Sequence, residues 1–395
     1  MRNRMQRRAL TASSRIAAMK IDRCATVIAL LCSLVPQVRG AAQPRQVRFV
    51  SWGGIGGAAR AQAAARIGID THRLPIGWPD ATGRYDFEDF DRKLRWLHEA
   101  GINVIVHFFN HCVPDWFWKR HPDARLCNAQ GRRTGKFGPS LWHPAVLEAI
   151  RRNETAILEH LRKAGLLKWV DGVDVGVGHE GQLTYDWTGY WAFDPHALAA
   201  YRWFLVGRYR GDVERLNREW GTQHKSFVEL RPPTRYTRSR ECEVFEEFYR
   251  EGLLQGAIAL SEPVAARVKP RIWFWMSHFV RERERHYAAR YPLYYMRRLK
   301  KLGRATVVQV SVVPGWQTKE NIAGLKALGL RVIGEIYITP TAEQQREHAR
   351  LAWNLGCDGF FVGTLENLFH EDGTPTAAGR ETARIIRNWR RGTAP

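Results

Sequence analysis

Residues 87–108 read FEDFDRKLRWLHEAGINVIVHF, and this stretch contains one complete unit of the fold. Apolar residues recur at helical spacing as far as Ala100, and Gly101 supplies the left-handed residue that commonly ends a helix. Asn103–Phe108 is then a short β-rich apolar run. The stretch therefore predicts an amphipathic helix over Phe87–Ala100 followed by a buried strand.

The same alternation of helix and strand runs through most of the chain. Strands are predicted at Val47–Trp52, Thr71–Ile76, Asn103–Phe108, Val170–Val175, Ile272–Met276, Thr306–Val312, Arg331–Ile336 and Gly359–Val362. Further helices are predicted at Pro144–Ala164, Glu241–Val268, Pro292–Leu302, Glu320–Leu328, Ala342–Leu355 and Ala377–Arg390. Strands that alternate with helices pair in parallel, so the pattern predicts an α/β protein with a (β/α)8 TIM barrel. Residues 183–240, rich in aromatic side chains and Arg, form an insertion after strand four.

A doubly wound open sheet is the competing architecture. It should carry a glycine-rich phosphate-binding turn after an early strand. Gly53–Gly57 is the one candidate turn, and it lacks the G-x-G-x-x-G spacing. The sequence therefore favours the closed barrel.

The first forty residues have the composition of a secretory signal. A basic head is followed by the apolar run Ala25–Val35 and by the small residues Gly40, Ala41 and Ala42. Met19 would give a head of more typical length, so translation could start there. An organelle-targeting peptide or a simple anchor is the alternative. We expect residues 1–40 to be the signal, residues 41–395 to form a single catalytic barrel, and the mature protein to be secreted or periplasmic.

The charge of the chain does not by itself indicate a nucleic-acid partner. The formal net charge is +22, and removal of residues 1–40 takes away eight basic residues and one acid, which leaves +15. The remaining basic residues are interleaved with acids, as in Arg281–Arg285, and no nucleic-acid-binding motif occurs. No apolar run is long enough to span a membrane. The 16 Trp residues suggest flat apolar platforms of the kind that bind sugar rings, although large cores also use Trp.

Cysteine and histidine spacing gives no metal site. Cys112, Cys127, Cys242 and Cys357 remain after removal of the signal, and they include no C-x-x-C pair. The sequence also lacks H-x-H and H-E-x-x-H spacings, so neither a metal nor another cofactor is expected. Export permits a Cys112–Cys127 disulfide, and four free thiols are the alternative.

Two glutamates are predicted at the end of the barrel where active sites lie, the carboxyl ends of the strands. Glu180 follows strand four and Glu335 ends strand seven, each beside glycine in apolar surroundings. Strands four and seven face each other across the barrel mouth. Glycoside hydrolysis requires two carboxyl groups on either side of the scissile bond, one protonated and one ionised. The pair therefore suggests a glycosidase, with salt-bridged structural carboxylates as the alternative.

Several short motifs in a fixed order resemble one family, the β-galactosidases of glycoside hydrolase family 42. They are Arg73–Trp78, Gly83–Phe87, Leu97–Val106, Val113–Phe117 with His121-Pro122, Asn128–Arg133, Leu216–Thr222 and Pro232-Pro233. The resemblance runs from about residue 69 to 235 and more faintly to 376. It implies a retaining (β/α)8 glycosidase with Glu180 as general acid/base, Glu335 as nucleophile and Arg73 supporting the nucleophile.

The sequence departs from this family at several places. His179 occupies the position before the acid/base where the family has an Asn that contacts the sugar 2-hydroxyl. Imidazole can donate the same hydrogen bond, and a solvent-facing His is the alternative. Val175–Tyr185 also resembles the acid segment of the β-amylases, but in that register the acid position falls on Gln182, which disfavours an inverting amylase. The family's zinc-binding cysteines and later domains are absent from this sequence.

Other side chains after the strands are candidate sugar contacts. His107 ends strand three, Tyr337 could hydrogen-bond the nucleophile, and Glu366 is a backup carboxylate after strand eight. Trp142, Trp187 and Trp316 lie in loops and could stack on sugar faces. The sequence thus predicts an exported retaining glycosidase whose partner is a carbohydrate. A catalytically silent carbohydrate-binding barrel is the main alternative, and a lyase or metal-dependent hydrolase is a weaker one.

Overall fold

Eight parallel strands close into a barrel, each pairing with its neighbours in chain order and the last with the first. The structure, a computed structural model, describes residues 48–135, 138–176, 178–185, 189–268, 271–276, 292–314, 317–335 and 337–395. The strands are β1 (Phe49–Trp52), β2 (Thr71–Ile76), β3 (Asn103–Phe108), β4 (Val170–Asp174), β5 (Arg271–Met276), β6 (Val307–Ser311), β7 (Arg331–Glu335) and β8 (Gly359–Thr364). The predicted (β/α)8 barrel is confirmed.

Helices connect these strands on the outside of the barrel. They are α1 (Ala58–Ile67), α2 (Phe87–Glu99), α3 (Asp115–Arg120), α4 (Pro144–Lys163), α5 (Pro195–Tyr209), α6 (Val213–Trp220), α7 (Arg240–Arg267), α8 (Pro292–Lys301), α9 (Lys319–Ala327), α10 (Ala342–Leu355), α11 (Leu365–Leu368) and α12 (Ala377–Arg390). Helices α5 and α6 lie in the predicted insertion after β4. None of the helices among the described residues is long and apolar enough to cross a membrane.

Strand alternation divides the apolar core into two parts. Outward-facing strand residues such as Val104, Val106 and Val308 join the helices in the larger core cluster. A smaller cluster fills the barrel, and its members are Val50, Ile105, Trp273, Val307, Ile333 and Phe361. Because successive side chains of a strand point to opposite faces, the next inward position on each strand lies two residues closer to the mouth. These next inward positions form the mouth of the barrel, directly above the apolar plug.

A buried glutamate on α4 holds the loops that follow β3 and β4. The Asn110 amide donates to Glu154 Oε1 over 2.7 Å and to the Gly176 carbonyl over 3.3 Å. Glu154 is fully buried, and burial raises the pKa of its carboxyl well above the ordinary value. Burial thus favours the protonated form of Glu154, which holds the loop after β3 through Asn110, and Asn110 in turn links that loop to the loop after β4.

We expect Glu154→Gln to stabilise the protein increasingly as the pH rises. The unfolded chain loses the Glu154 proton above about pH 4.5 while the folded chain keeps it, so folding becomes less favourable with rising pH. The amide cannot ionise, so the variant gains up to about 1.4 kcal/mol over wild type per pH unit until the folded group ionises. Urea unfolding between pH 5 and 8 measures this, with the exposed Glu148→Gln on the same helix as control. A constant difference across this range would contradict a protonated Glu154.

Candidate active site

A ring of buried polar side chains lies at the inward positions above the apolar plug. The ring consists of Arg73, His107, Asp174, Gln309, Ser311 and Glu335, and each is at most 3% exposed. His107, Gln309 and Glu335 each lie two residues beyond a member of the plug on the same strand. A polar layer so deeply buried is costly to desolvate unless its members pair with one another or bind a ligand.

Three members of the ring, from β2, β3 and β4, form one hydrogen-bonded group. The Arg73 guanidinium forms a salt bridge with Asp174. His107 Nδ1 lies 2.7 Å from the same carboxylate oxygen, Asp174 Oδ2. The resemblance assigned Arg73 to the support of Glu335, and the structure shows Asp174 as an ion-pair partner of this arginine. Sequence reasoning did not single out Asp174.

The charges of this group follow from its surroundings. Burial alone would raise the pKa of Asp174, but the Arg73 charge and the bonds from His107 and Arg73 outweigh it and lower the pKa. Burial lowers the pKa of His107, and the Asp174 charge offsets this only in part. At neutral pH the group therefore contains an ionised Asp174, a cationic Arg73 and a neutral His107.

Glu335 is the last residue of β7 and lies inside the barrel mouth. It is 3% exposed, and its register partner on β6 is Ser311. The main chain is fixed there, because the Val312 amide donates to the Glu335 carbonyl over 2.9 Å. The predicted placement of this carboxylate at the inward end of strand seven agrees with the structure.

Glu180 lies in a short turn, His179–Gly181, that follows β4. Its backbone has φ 53° and ψ 26°, a left-handed conformation that costs a non-glycine residue about 1–2 kcal/mol. Its carboxylate is 45% exposed, and Gln182 Nε2 donates to Oε2 over 3.3 Å. Strained residues of this kind cluster at functional sites.

The glycine that follows Glu180 places the turn over the ring. A Cβ atom on Gly181 would lie 2.8 Å from His111 Nδ1 and 3.2 Å from His107 Cε1. The turn therefore packs against the end of β3, beside the Arg73–Asp174–His107 group. His179, at the start of the turn, has a side chain only 11% exposed, so it is not the solvent-facing histidine that the sequence left open.

Glu366, the predicted backup carboxylate, lies on the rim rather than in the ring. It is exposed and is the second residue of the short helix α11, which follows β8. A Cβ atom on Gly54 would fall 1.4 Å from Glu366 Oε2, so the carboxylate lies directly against the loop after β1. Glycine is needed at position 54 because of both this contact and its φ of 50°.

Two predicted sugar contacts have other partners in the structure. β7 ends at Glu335, so the strand alternation does not extend to Tyr337, whose hydroxyl donates to Glu347 on α10 over 3.1 Å. The expectation that Tyr337 bonds the nucleophile is corrected accordingly. Trp142 stacks on Tyr185 and Phe248, at centroid distances of 5.4 Å for both, so its visible role is packing. Trp187 and Trp316 lie outside the described residues.

One cluster among the described residues has ligand types and spacing that could hold a metal ion. Asp123 Oδ1 lies 3.4 Å from His143 Nε2, and Asp123 Oδ2 lies 3.1 Å from His196 Nε2. His143 Nδ1, however, accepts the Ala145 amide hydrogen over 3.2 Å, so its own hydrogen belongs on Nε2. That tautomer donates to Asp123 and has no Nε2 lone pair for a metal. The cluster is therefore a hydrogen-bonded link between loops.

The thiols also answer a question that the sequence left open. Cys127 is a free thiol, so the Cys112–Cys127 disulfide is not formed in this structure. The Cys127 Sγ lies 3.4 Å from the Asn128 carbonyl oxygen. The loop between α3 and α4 is held by hydrogen bonds, among them the Phe193 amide to the Cys127 carbonyl over 2.9 Å.

The closed barrel with a polar mouth defines the class of protein, a (β/α)8 α/β barrel. Within this class, residues 78–252 match the family model of glycoside hydrolase family 42, described as β-galactosidase. The chain is 24% identical over 161 residues to the β-galactosidase BgaB of Geobacillus sp. and 26% identical over 162 residues to the β-galactosidase Pbg of Clostridium perfringens. The resemblance to family 42 is thereby confirmed.

The curated relatives are much longer than the matched segment. That segment covers 38% of this chain, and it spans only 22% of BgaB and 21% of Pbg. Their whole activity therefore does not transfer directly to this chain.

Solved structures show the same fold over more of the chain. The catalytic domain of a β-amylase from Paenibacillus polymyxa superposes with a TM-score of 0.73 at 16% identity, covering 86% of this chain and 97% of that one. A β-galactosidase from Bacillus circulans sp. alkalophilus superposes with a TM-score of 0.66 at 15% identity, covering 88% and 56%. At these identities the likeness concerns the fold alone.

Proposed function

We propose that this protein is a retaining β-glycosidase, β-galactosidase-like, that acts on oligo- or polysaccharides. The observation that carries the proposal is the placement of two carboxylates at one mouth. Glu335 is buried at the inward end of β7, and Glu180 lies in a strained turn packed against His107 in the same polar ring. The family 42 match over residues 78–252 supports this assignment.

The proposed reaction proceeds in two displacements. Ionised Glu335 attacks the anomeric carbon and forms an ester, while Glu180 gives its proton to the departing glycosidic oxygen. Glu180, now a carboxylate, then takes a proton from water, and the resulting oxygen attacks the anomeric carbon. This step breaks the ester, releases the sugar and returns both carboxyl groups to their starting states.

The difference in exposure between the two carboxyl groups suits these roles. Glu335 lies among buried polar side chains, where its low exposure limits contact of the carboxylate with bulk water before the sugar binds. Glu180 is half-exposed, so it can exchange protons with solvent between the two steps. Gln182 donates to Glu180 Oε2, and Oε1 lies 3.9 Å from His179 Nε2. We propose that Oε1 exchanges the catalytic proton.

The ring suggests further substrate contacts. His107 and His179 are proposed to bond sugar hydroxyls. In addition to its salt bridge with Asp174, Arg73 is proposed to favour the ionised form of Glu335 through its positive charge. We also propose that residues 1–40 direct export, since the basic head and apolar run are those of a secretory signal.

The stereochemistry of the product tests the proposal directly. The protein is assayed on a panel of 4-nitrophenyl β-glycosides, and the anomer released first is followed by proton NMR. We expect the β anomer to form first and to mutarotate afterwards. Initial release of the α anomer would contradict double displacement, and binding of glycans without any turnover would favour the silent barrel.

A further inference from the structure

The pairing of Asp174 with His107 determines which hydrogen bond His107 can offer. A carboxylate can only accept hydrogen bonds, so the 2.7 Å contact between Asp174 Oδ2 and His107 Nδ1 requires a hydrogen on Nδ1. Nδ1 then has no lone pair to accept a hydrogen from the Arg73 nitrogen that lies 3.2 Å away. These two nitrogens are close because both donate to Asp174. Because this histidine is neutral, its Nε2 carries a lone pair.

The imidazole of His107 reaches the turn that carries Glu180. The neighbouring ring atom, Cε1, faces Gly181 in the turn that carries Glu180. His107 occupies an inward position of β3, two residues beyond Ile105 of the apolar plug. Cε1 is bonded to Nε2, so this nitrogen lies within one bond of the ring atom that contacts the turn. The proposed function requires the reacting sugar beside that turn.

We propose that Asp174 is a positioning residue that holds His107 as an acceptor, and that His107 thereby selects a substrate with a free hydroxyl at one ring position. This inference rests on the proposed function, since it concerns the sugar between Glu180 and Glu335. Neutral imidazole can adopt either tautomer, and a carboxylate that accepts a hydrogen bond from one ring nitrogen commonly fixes which tautomer is present. A histidine with its hydrogen on Nε2 would instead donate a hydrogen bond to the sugar. Such a site would also bind a sugar that carries an ether or a fluorine in place of the hydroxyl.

The chemical consequence is a requirement for a donor on the sugar. A buried acceptor that finds no donor remains unsatisfied, and this penalises analogues that lack the hydroxyl. We expect one monodeoxy analogue of the best substrate to lose roughly 10- to 100-fold in kcat/KM. Its fluoro counterpart should lose about as much, because fluorine cannot donate. If the fluoro sugar were accepted as well as the parent, His107 would be a donor and the proposal would be overturned.

The tautomer can be measured without any turnover. Long-range proton–nitrogen NMR on ¹⁵N-histidine-labelled protein at neutral pH distinguishes a protonated from an unprotonated ring nitrogen, and the His107 signal is assigned by its absence in His107→Phe. We expect a hydrogen on Nδ1 and none on Nε2. A hydrogen on Nε2 would overturn the proposal. If no glycoside in the panel is hydrolysed, the proposed function fails while this result still decides the tautomer.

Two variants connect the tautomer to selectivity. Asp174→Asn removes the carboxylate and should lower the discrimination against the deoxy analogue to within about threefold, with a shift of the His107 signals. His107→Phe should abolish that discrimination while leaving the Arg73–Asp174 pair. Unchanged discrimination in His107→Phe would overturn the proposal. This second variant also decides the outcome if Asp174→Asn fails to fold because the buried salt bridge between Arg73 and Asp174 is lost.

Discussion

Glu335→Gln is expected to lower kcat on aryl β-glycosides by about 10⁴-fold or more, because the amide cannot form the glycosyl ester. The substitution keeps the shape of the side chain at a position that is 3% exposed, so the fold and substrate binding should persist. KM should change little or fall. Steady-state kinetics and a thermal unfolding curve together separate lost chemistry from lost structure.

Two other carboxylates serve as comparisons for this variant. Glu381→Gln makes the same chemical change on α12, where Glu381 pairs with Arg384, and should leave kcat within about twofold. Glu366→Gln tests the carboxylate on the rim. Loss of activity in Glu366→Gln with full activity in Glu335→Gln would assign the role of nucleophile to Glu366.

Glu180→Gly is expected to make the protein more stable and at the same time nearly inactive. Glycine adopts φ 53° without strain, which removes about 1–2 kcal/mol, while the greater freedom of the unfolded chain takes back about 0.5–1 kcal/mol. The free energy of unfolding should rise by roughly 0.5–1 kcal/mol. The proton donor is lost, so aryl glycosides with poor leaving groups should suffer most, by about 10²- to 10⁴-fold.

The chain provides a matched control for this trade-off. Among the described residues, Glu180 and Arg210 are the non-glycine positions with positive φ, and Arg210 is the C-cap residue that follows α5, with φ 56°. Arg210→Gly should give a similar gain in urea unfolding with no change in kcat. A destabilised Glu180→Gly beside a stabilised Arg210→Gly would show that Glu180 is held by contacts stronger than the strain.

The regular part of the fold could be read from the sequence because its signals are local. The bounds of β2 and β3 agree residue for residue with the prediction. Each strand is a short run rich in residues that favour β structure, and residues of a different character lie near both of its ends. Helix α1 was missed, as its alanine-rich sequence AARAQAAARI lacks a clear division into apolar and polar faces. Helices α5 and α6 were missed because they lie in an insertion outside the repeating pattern.

The site was predictable only where strand position alone decides it. Glu335 could be placed because it ends a strand with an apolar inward neighbour two residues before it. Asp174 was not found, although it ends β4, because its role depends on the partners that β2 and β3 bring to it. Tyr337 was misplaced because it lies beyond β7 and its hydroxyl donates to Glu347 on α10, a contact that local strand propensity does not reveal.

Covalent trapping tests the two-carboxylate mechanism most directly. The protein is incubated with an activated 2-deoxy-2-fluoro β-glycoside of its preferred sugar, and the intact mass and the labelled peptide are then determined by mass spectrometry. We expect one added fluoroglycosyl group, attached to Glu335 and absent in Glu335→Gln. A label on Asp174 or Glu366, or full turnover without any adduct, would contradict it.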